Sequence, residues 1–340
     1  MKSLLKTTDR RRIELLELLF LSPGQVTLRE ISNQLNSSVR VIREDIKFMD
    51  QPQYNLYCQI VSDDKGVSAK FKDSFGIDKI AEIILKDSIA FNIIEHLFYV
   101  EATSLEELAI EFHISPTTAH RELREINELL ADKFSLHVAS KPIRITGDEN
   151  LIRNFYLQYF AERYSLLDWP FEDVDEYKLE EFLKVFFELV GRSTEFSMFR
   201  NVKLTVAIAL RRYRQGYRIA KHSTILDEAF DELYEKLNNN HIYHHLLKVP
   251  ITLELLNELF YKYTTGGFFY SYKELLRASI DEEKITHSYI LLTYILDNLS
   301  TKFNLPLPNK EELIYHLHDT AILGVHEINA VHLVYDSKRS

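Results

Sequence analysis

Turn-forming residues are scarce in this chain, with nine Gly and eight Pro among 340 residues. A backbone with so few breakers reverses mainly at helix ends, and long segments place apolar residues at the three-and-four spacing of a helix face. A mainly α fold follows. The length exceeds what one hydrophobic core usually organises, so several modules are expected. Two-residue alternation occurs in only two places. Tyr57–Ser62 and Val67–Phe71 flank Asp63-Asp64-Lys65-Gly66, and Ser135–Ala139 and Ile143–Thr146 flank Ser140-Lys141-Pro142. Each reads as a small hairpin, and each follows a group of three helices.

The first group runs from about Thr8 to Met49. Ile13, Leu15, Leu16, Leu18 and Leu19 line an opening helix that stops at Ser22-Pro23-Gly24. Thr27 with Glu30 three residues later is a capping-box pattern, opening a short helix with Leu28, Ile31 and Leu35 on its apolar side. Asn36-Ser37 is the turn, and Ser38 caps the next helix. Ile42, Ile46 and Met49 are expected inward, leaving Val39, Arg40, Arg43, Glu44 and Lys47 outward. Guanidinium groups near a helix start suit contact with base edges in a major groove. The candidate contacts here are Ser38, Val39, Arg40, Arg43 and Lys47.

A second group repeats the plan. Ile89–Val100 opens it, Ser104 caps Leu105–Phe112, and Ile114-Ser115-Pro116 makes the turn with Pro116 at the first helical position. The helix Thr117–Leu130 buries Ala119, Leu123, Ile126 and Leu130, and offers Thr117, Thr118, His120, Arg121 and Arg124 outward. Lys141 and Arg144 in the following hairpin suit a wing that reaches phosphate or a minor groove. Two winged helix-turn-helix units in tandem point to double-stranded DNA.

Charge qualifies this without opposing it. The net charge is -10, yet Arg10, Arg11, Arg12, Arg29, Arg40, Arg43 and Lys47 fall within the first fifty residues, and acidic residues dominate from Asp63 onward. A basic head on an acidic body is the expected arrangement, because the local face meets the phosphates.

Other classes find little support. Cys58 is the single cysteine, which excludes an intrachain disulfide and favours a reducing compartment. Neither a signal peptide nor an apolar stretch long enough to cross a membrane is legible, so a cytoplasmic location with no membrane partner is expected. Gly266-Gly267 belongs to no phosphate-binding loop, no nucleophile motif occurs, and neither catalytic residues nor a cofactor are expected. His241, His244 and His245 have helical spacing but no HExxH pattern or Cys partner, so no metal site is assigned.

The stretch Leu35-Asn36-Ser37-Ser38-Val39-Arg40-Val41-Ile42-Arg43-Glu44-Asp45-Ile46 resembles the turn and recognition helix of bacterial winged-helix regulators. Residues Ser104, Ile114 to Thr118, Arg121 to Leu123, Ile143 to Glu149 and Ile152 to Tyr156 are similar to the second helix-turn-helix of the Mga/AtxA family of Gram-positive global regulators. Nearly the whole chain shares the likeness. It implies two DNA-binding units, then two phosphotransferase-regulated domains (PRDs), then a domain like enzyme IIB of the sugar phosphotransferase system.

On this basis residues 1–75 and 76–165 are the two winged units, 170–279 a first PRD-like helical bundle, and 280–340 a second, incomplete one. Expected helices include Tyr177–Val190, Val202–Tyr217, Ile225–Asn238, Ile251–Tyr263 and Ile290–Phe303. Thr205-Val206-Ala207-Ile208-Ala209-Leu210-Arg211-Arg212 resembles the PRD signature helix, with Thr205 where the family's phosphorylatable histidine stands. The run from Glu311 to Thr320 resembles the corresponding helix of a second PRD. The resemblance thus makes His316, with its neighbour His318, the phosphorylation candidate. It also implies a homodimer and a phosphotransferase-system phosphocarrier as partners. Aromatic helices after Tyr164, with Phe182, Phe186 and Phe187, are expected to make the dimer or the interior. The rival reading is a phosphocarrier-regulated interaction protein that does not itself touch DNA.

Overall fold

A computed structural model describes residues 5–72, 77–100, 104–164, 168–189, 196–219, 227–238, 241–264, 272–281 and 283–326. The expected positions Val190, Ile225 and Gly266-Gly267 lie outside the described residues. The chain divides into two compact units. One holds the described residues up to Gly147 together with Tyr159–Asp168, and the other holds Asp148–Gln158 and the described residues from Trp169.

The first unit opens with α1 (Thr7–Leu21), which buries Ile13, Leu15, Leu16 and Leu19. Then comes α2 (Leu28–Gln34). Its capping box is complete: the Glu30 N–H donates to Thr27 Oγ1 at 3.2 Å, and the Thr27 N–H donates to Glu30 Oε2 at 2.9 Å. α3 (Val39–Met49) starts at Ser38, whose Oγ accepts from the Val41 N–H. A single turn, α4 (Pro52–Asn55), leads to β1 (Cys58–Asp63) and β2 (Gly66–Phe71), an antiparallel pair with Cys58 opposite Phe71 and Asp63 opposite Gly66. Val26 pairs with Val67, which fastens this hairpin to the residue before the α2 cap. Gly66 has φ +147°, and a Cβ there would stand 2.7 Å from the Val26 carbonyl oxygen, so the turn requires glycine.

The second group comprises α5 (Ile77–Lys86), α6 (Ile89–Tyr99), α7 (Leu105–Glu111) and α8 (Pro116–Phe134). Ser104 and Ser115 cap the last two through the N–H groups of Glu107 and Thr118, each at 3.1 Å. Ala119, Leu123, Ile126 and Leu130 are buried, as their spacing predicts. α8 runs a turn beyond the expected Leu130 and stops where Ser135 takes a left-handed φ of 53°. The strands β3 (His137–Ser140) and β4 (Ile143–Thr146) therefore begin at His137 and pair it with Thr146.

The two groups share a residue-by-residue register. Thr27 and Ser104 cap the short helices, Asn36 and His113 take left-handed backbone in the turns, and Ser38 and Ser115 cap the long helices. Seven residues on from each of these caps, Asp45 and Glu122 are buried acids.

α9 (Glu149–Arg163) gives its first turns to the second unit and its last turns to the first. The second unit continues with α10 (Glu176–Leu189), α11 (Phe196–Arg214), α12 (Asp227–Asn238), α13 (His241–Leu247), α14 (Leu253–Leu259) and α15 (Tyr261–Thr264). Thr252 caps α14, and Phe260 ends it, so the expected helix Ile251–Tyr263 is two pieces. Phe186 stacks on Phe260 with centroids 3.8 Å apart, and Phe182 and Phe187 are buried beside them. These rings are interior, and the alternative of a dimer surface on them is set aside. The same unit buries an ionic set: Arg153 bonds Glu149 and Glu258, and Arg212 reaches Glu149 at 2.7 Å, all four residues buried. Each guanidinium meets a carboxylate, as burial of charge demands.

Last come α16 (Tyr272–Asp281), α17 (Glu283–Phe303) and α18 (Lys310–His326). They enclose a separate cluster of Leu275, Ile285, Leu296, Ile314 and Tyr315.

Candidate nucleic-acid interface

In the first head, α3 turns Arg40, Arg43 and Lys47 to solvent, with Ser38 exposed at the cap and Val39 half-buried. Arg40 Nε lies 3.2 Å from Glu44 Oε1 one turn on, an exposed pair of little energetic weight. Ser38 Oγ accepts one N–H in the cap, which leaves its O–H donor and a second lone pair for other contacts.

What orients this helix is a residue absent from the expected contacts. Asp45 is buried and accepts from Arg11 Nε and, at 3.2 Å, from Arg12 Nε. The Arg12 guanidinium also lies 3.3 Å from the centre of the Phe48 ring. Arg11 and Arg12 therefore hold α3 against α1, which removes them from the basic groups expected to face DNA. Arg10 donates to the Leu5 carbonyl. Ile46 is half-buried while Asp45 takes the inward place. The signal was present in the spacing, since Asp45 falls three residues after Ile42 and four before Met49 on the buried face.

The second head presents Thr117, His120, Arg121 and Arg124 as exposed residues of α8, and Thr118 as half-buried. Thr118 Oγ1 stands 2.9 Å from Ser115 Oγ, inside the cap. Arg121 Nη2 donates to the buried Glu122 at 3.1 Å, so part of its fork is engaged within the helix. Arg124 faces Glu128 at 3.6 Å. Lys141 is exposed at the hairpin turn, while Arg144 is half-buried in β4. A cleft of about 720 Å³ separates α8 from the hairpin, and it brings His120, Arg124 and Lys141 together. Arg144 is outside that lining.

The two histidine candidates differ. His316 on α18 is 59% exposed, with Nε2 3.8 Å from Glu312 Oε1. His318 is wholly buried, its Nδ1 2.8 Å from Ser288 Oγ on α17. Of the two, only His316 is exposed to a partner in solution. Thr205 is buried in α11. Among the described residues no group of three His, Cys, Asp or Glu side chains could hold a metal, and no helix is long and apolar enough to cross a membrane.

In chain order, two helix-turn-helix heads precede a helical body, the layout of a transcription regulator of the kind that sequence comparison identifies. The pattern of the Mga helix-turn-helix domain matches residues 73–160, and that of the M protein trans-acting positive regulator (MGA) PRD domain matches residues 175–340. The chain belongs to the Mga/AtxA family of transcription regulators. It is 27% identical to a trans-acting regulator of Streptococcus pneumoniae over 99% of this chain and 69% of that protein. Identity is 25% with the capsule synthesis positive regulator AcpB of Bacillus anthracis, over 91% of this chain and 65% of the relative. The corresponding AcpA is 27% identical over 66% of this chain and 47% of its own length. The chain thus spans between about half and two thirds of the length of these relatives.

Proposed function

We propose that this regulator binds double-stranded DNA through both helix-turn-helix heads. The observation that carries the reading is the shared register of the heads, which turns Arg40, Arg43 and Lys47 outward on α3 and His120, Arg121 and Arg124 outward on α8. Their acidic neighbours Glu44 and Glu128 make only exposed helix pairs, which phosphate oxygens can displace at small cost. Ser38, Val39, Thr117 and Thr118 stand at the helix starts, where base edges are read, and Lys141 and Arg144 supply the wing. The names of two relatives, positive regulators of capsule synthesis, favour an activating role.

Replacement of Arg40 and Arg43 together, or of Arg121 and Arg124 together, by Ala should weaken binding by about 1–3 kcal/mol for each base edge that then goes unread. Gel shift at two salt concentrations, with circular dichroism unchanged, measures this. If both double variants bind as the parent does, neither helix contacts DNA and the rival interaction-protein reading takes its place.

The body, in this reading, dimerises the protein in the cytoplasm and receives a phosphoryl group from a phosphotransferase-system carrier. His316 is its acceptor, an exposed imidazole beside Glu312. Phosphorylation would place about two negative charges among carboxylates and so press the local packing apart. Incubation with phosphoenolpyruvate, enzyme I and the histidine carrier should label the parent, and His316→Ala should lose the label. Equal labelling of that variant removes the mechanism.

A further inference from the structure

Both heads carry a hairpin behind the recognition helix, yet the two hairpins differ in charge at the turn. Residues 137–146 include Lys141 and Arg144 and no carboxylate. Asn127 on α8 accepts from the Val138 N–H at 2.8 Å, so this hairpin is tied to the recognition helix. The cleft between them has His120 and Arg124 on the helix side and Ser140 and Lys141 on the hairpin side, with Glu106 the acidic residue of its lining. Cationic groups therefore approach from two elements, an arrangement that a phosphodiester strand lying between them would satisfy.

Residues 58–71 of the first head are built otherwise. Lys65 and Lys70 are balanced by Asp63 and Asp64, and both carboxylates sit at the turn. Asp63 is not free to swing aside. Its Oδ1 accepts from the N–H groups of Lys65 at 2.8 Å and Gly66 at 3.2 Å, and its Oδ2 accepts from Gln25 Nε2 at 2.8 Å. The hairpin as a whole is fixed by paired hydrogen bonds between Val26 and Val67, both 2.8 Å. A Cβ on Gly66 would stand 2.7 Å from the Val26 carbonyl oxygen, so the turn runs close against that segment. An acidic turn held this firmly meets a polyanion with repulsion that it cannot relax.

We infer that the two heads meet the DNA backbone differently: the second hairpin closes on a phosphate strand, while the acidic turn of the first keeps its hairpin off the backbone. In the first head α3 then makes the contact alone. This division of labour rests on the proposed DNA binding.

The test uses the full chain and fluorescence anisotropy with a fluorescein-labelled duplex of mixed sequence, about 30 base pairs long, from about 50 to 200 mM KCl. Lys141→Ala should lower the slope of log K against log salt by about 0.9, which is about 3.5-fold across that range. Lys65→Ala, in the first hairpin, should keep the parent's slope and stay within about twofold of its affinity, whereas Asp64→Lys, which reverses the charge of the turn, should bind tighter with a slope steeper by up to about one. A Lys65→Ala protein whose slope falls by about one places the first hairpin on the backbone and overturns the inference, and so does an Asp64→Lys protein with the parent's affinity and slope. So does a Lys141→Ala protein with the parent's slope and unchanged circular dichroism. A parent without salt-dependent binding defeats the DNA-binding reading itself, whereas a parent that binds alongside a Lys65→Ala of lower slope defeats this inference alone.

Discussion

Asp45 shows how one side chain sets what a recognition helix can present. Its carboxylate lies between two guanidinium groups from α1, and the Arg side chains retain only 15% exposure against 2% for the aspartate. Removing the anion leaves two cations facing each other with little water, which is more costly than breaking an exposed pair. Asp45→Asn should therefore destabilise the fold by about 2–4 kcal/mol, read as a lower urea midpoint with unchanged slope. Asp45→Ala should be no milder, since it leaves the same two cations and adds a void. The lone cysteine behaves differently. Burial pushes the Cys58 thiol up to about 11, so almost no thiolate exists near neutrality. Iodoacetamide at pH 8 should alkylate Cys58 in the folded protein about tenfold or more slowly than in urea; equal rates would mean that the first hairpin opens readily.

Helix-turn-helix geometry needs one left-handed residue between its two helices, and here that residue is Asn36 in one head and His113 in the other, with φ of 46° and 52°. Asparagine tolerates this conformation through its short polar side chain, whereas histidine carries more of the Cβ penalty. His113→Gly should raise stability by about 0.5–1 kcal/mol in thermal unfolding, and Asn36→Gly should change it less; the reverse order would show that the His113 ring, not its backbone, decides the turn. Much of this architecture is legible in the sequence. Thr27, Ser38, Ser104 and Pro116 announce helix starts by chemistry that acts within a few residues, and the hairpins follow from alternation on either side of Asp63-Asp64-Lys65-Gly66 and Ser140-Lys141-Pro142. Pairings across distant parts of the chain are not legible there. The pairing of Arg11 and Arg12 with Asp45, the burial of Phe182 and Phe186, and the split between α14 and α15 all depend on tertiary partners. His316 and His318 show the same boundary, since two histidines in one helix look alike in sequence until the packing against Ser288 separates them. Asp63 adds a pH signature at this scale. The Gln25 side chain first, then the Lys65 N–H, hold its carboxyl below the usual range, so its support for the hairpin is complete above the ordinary Asp pKa of about 3.9. That support disappears as pH falls through the lowered value, and Asp63→Asn should flatten the acid limb of melting temperature against pH.

Assembly belongs to the scale of the whole molecule, and α17 is where the apolar surface that could support it lies. The buried side of this helix holds Ile285 and Leu296 in the cluster with α16 and α18, while Ile290, Leu291, Tyr294, Ile295, Leu299 and Phe303 remain exposed, Tyr294 by 65%. At roughly 100 Å² each, these six side chains present about 600 Å², at the upper end of what a monomer leaves bare and close to the ~800 Å² per partner of a stable interface. A second copy of the chain is the occupant we propose, because an isologous contact places the same stripe on both sides and needs no further partner. Two tethered pairs of heads would then engage neighbouring DNA sites with a gain in effective concentration. Light scattering should give the mass of a dimer for the parent at micromolar concentration. Ile290→Asp combined with Tyr294→Asp should shift it to the monomer and weaken DNA binding about tenfold or more, with circular dichroism unchanged. A double variant that stays dimeric would move the interface away from α17, and one that becomes monomeric yet binds DNA as tightly as the parent would separate dimerisation from recognition.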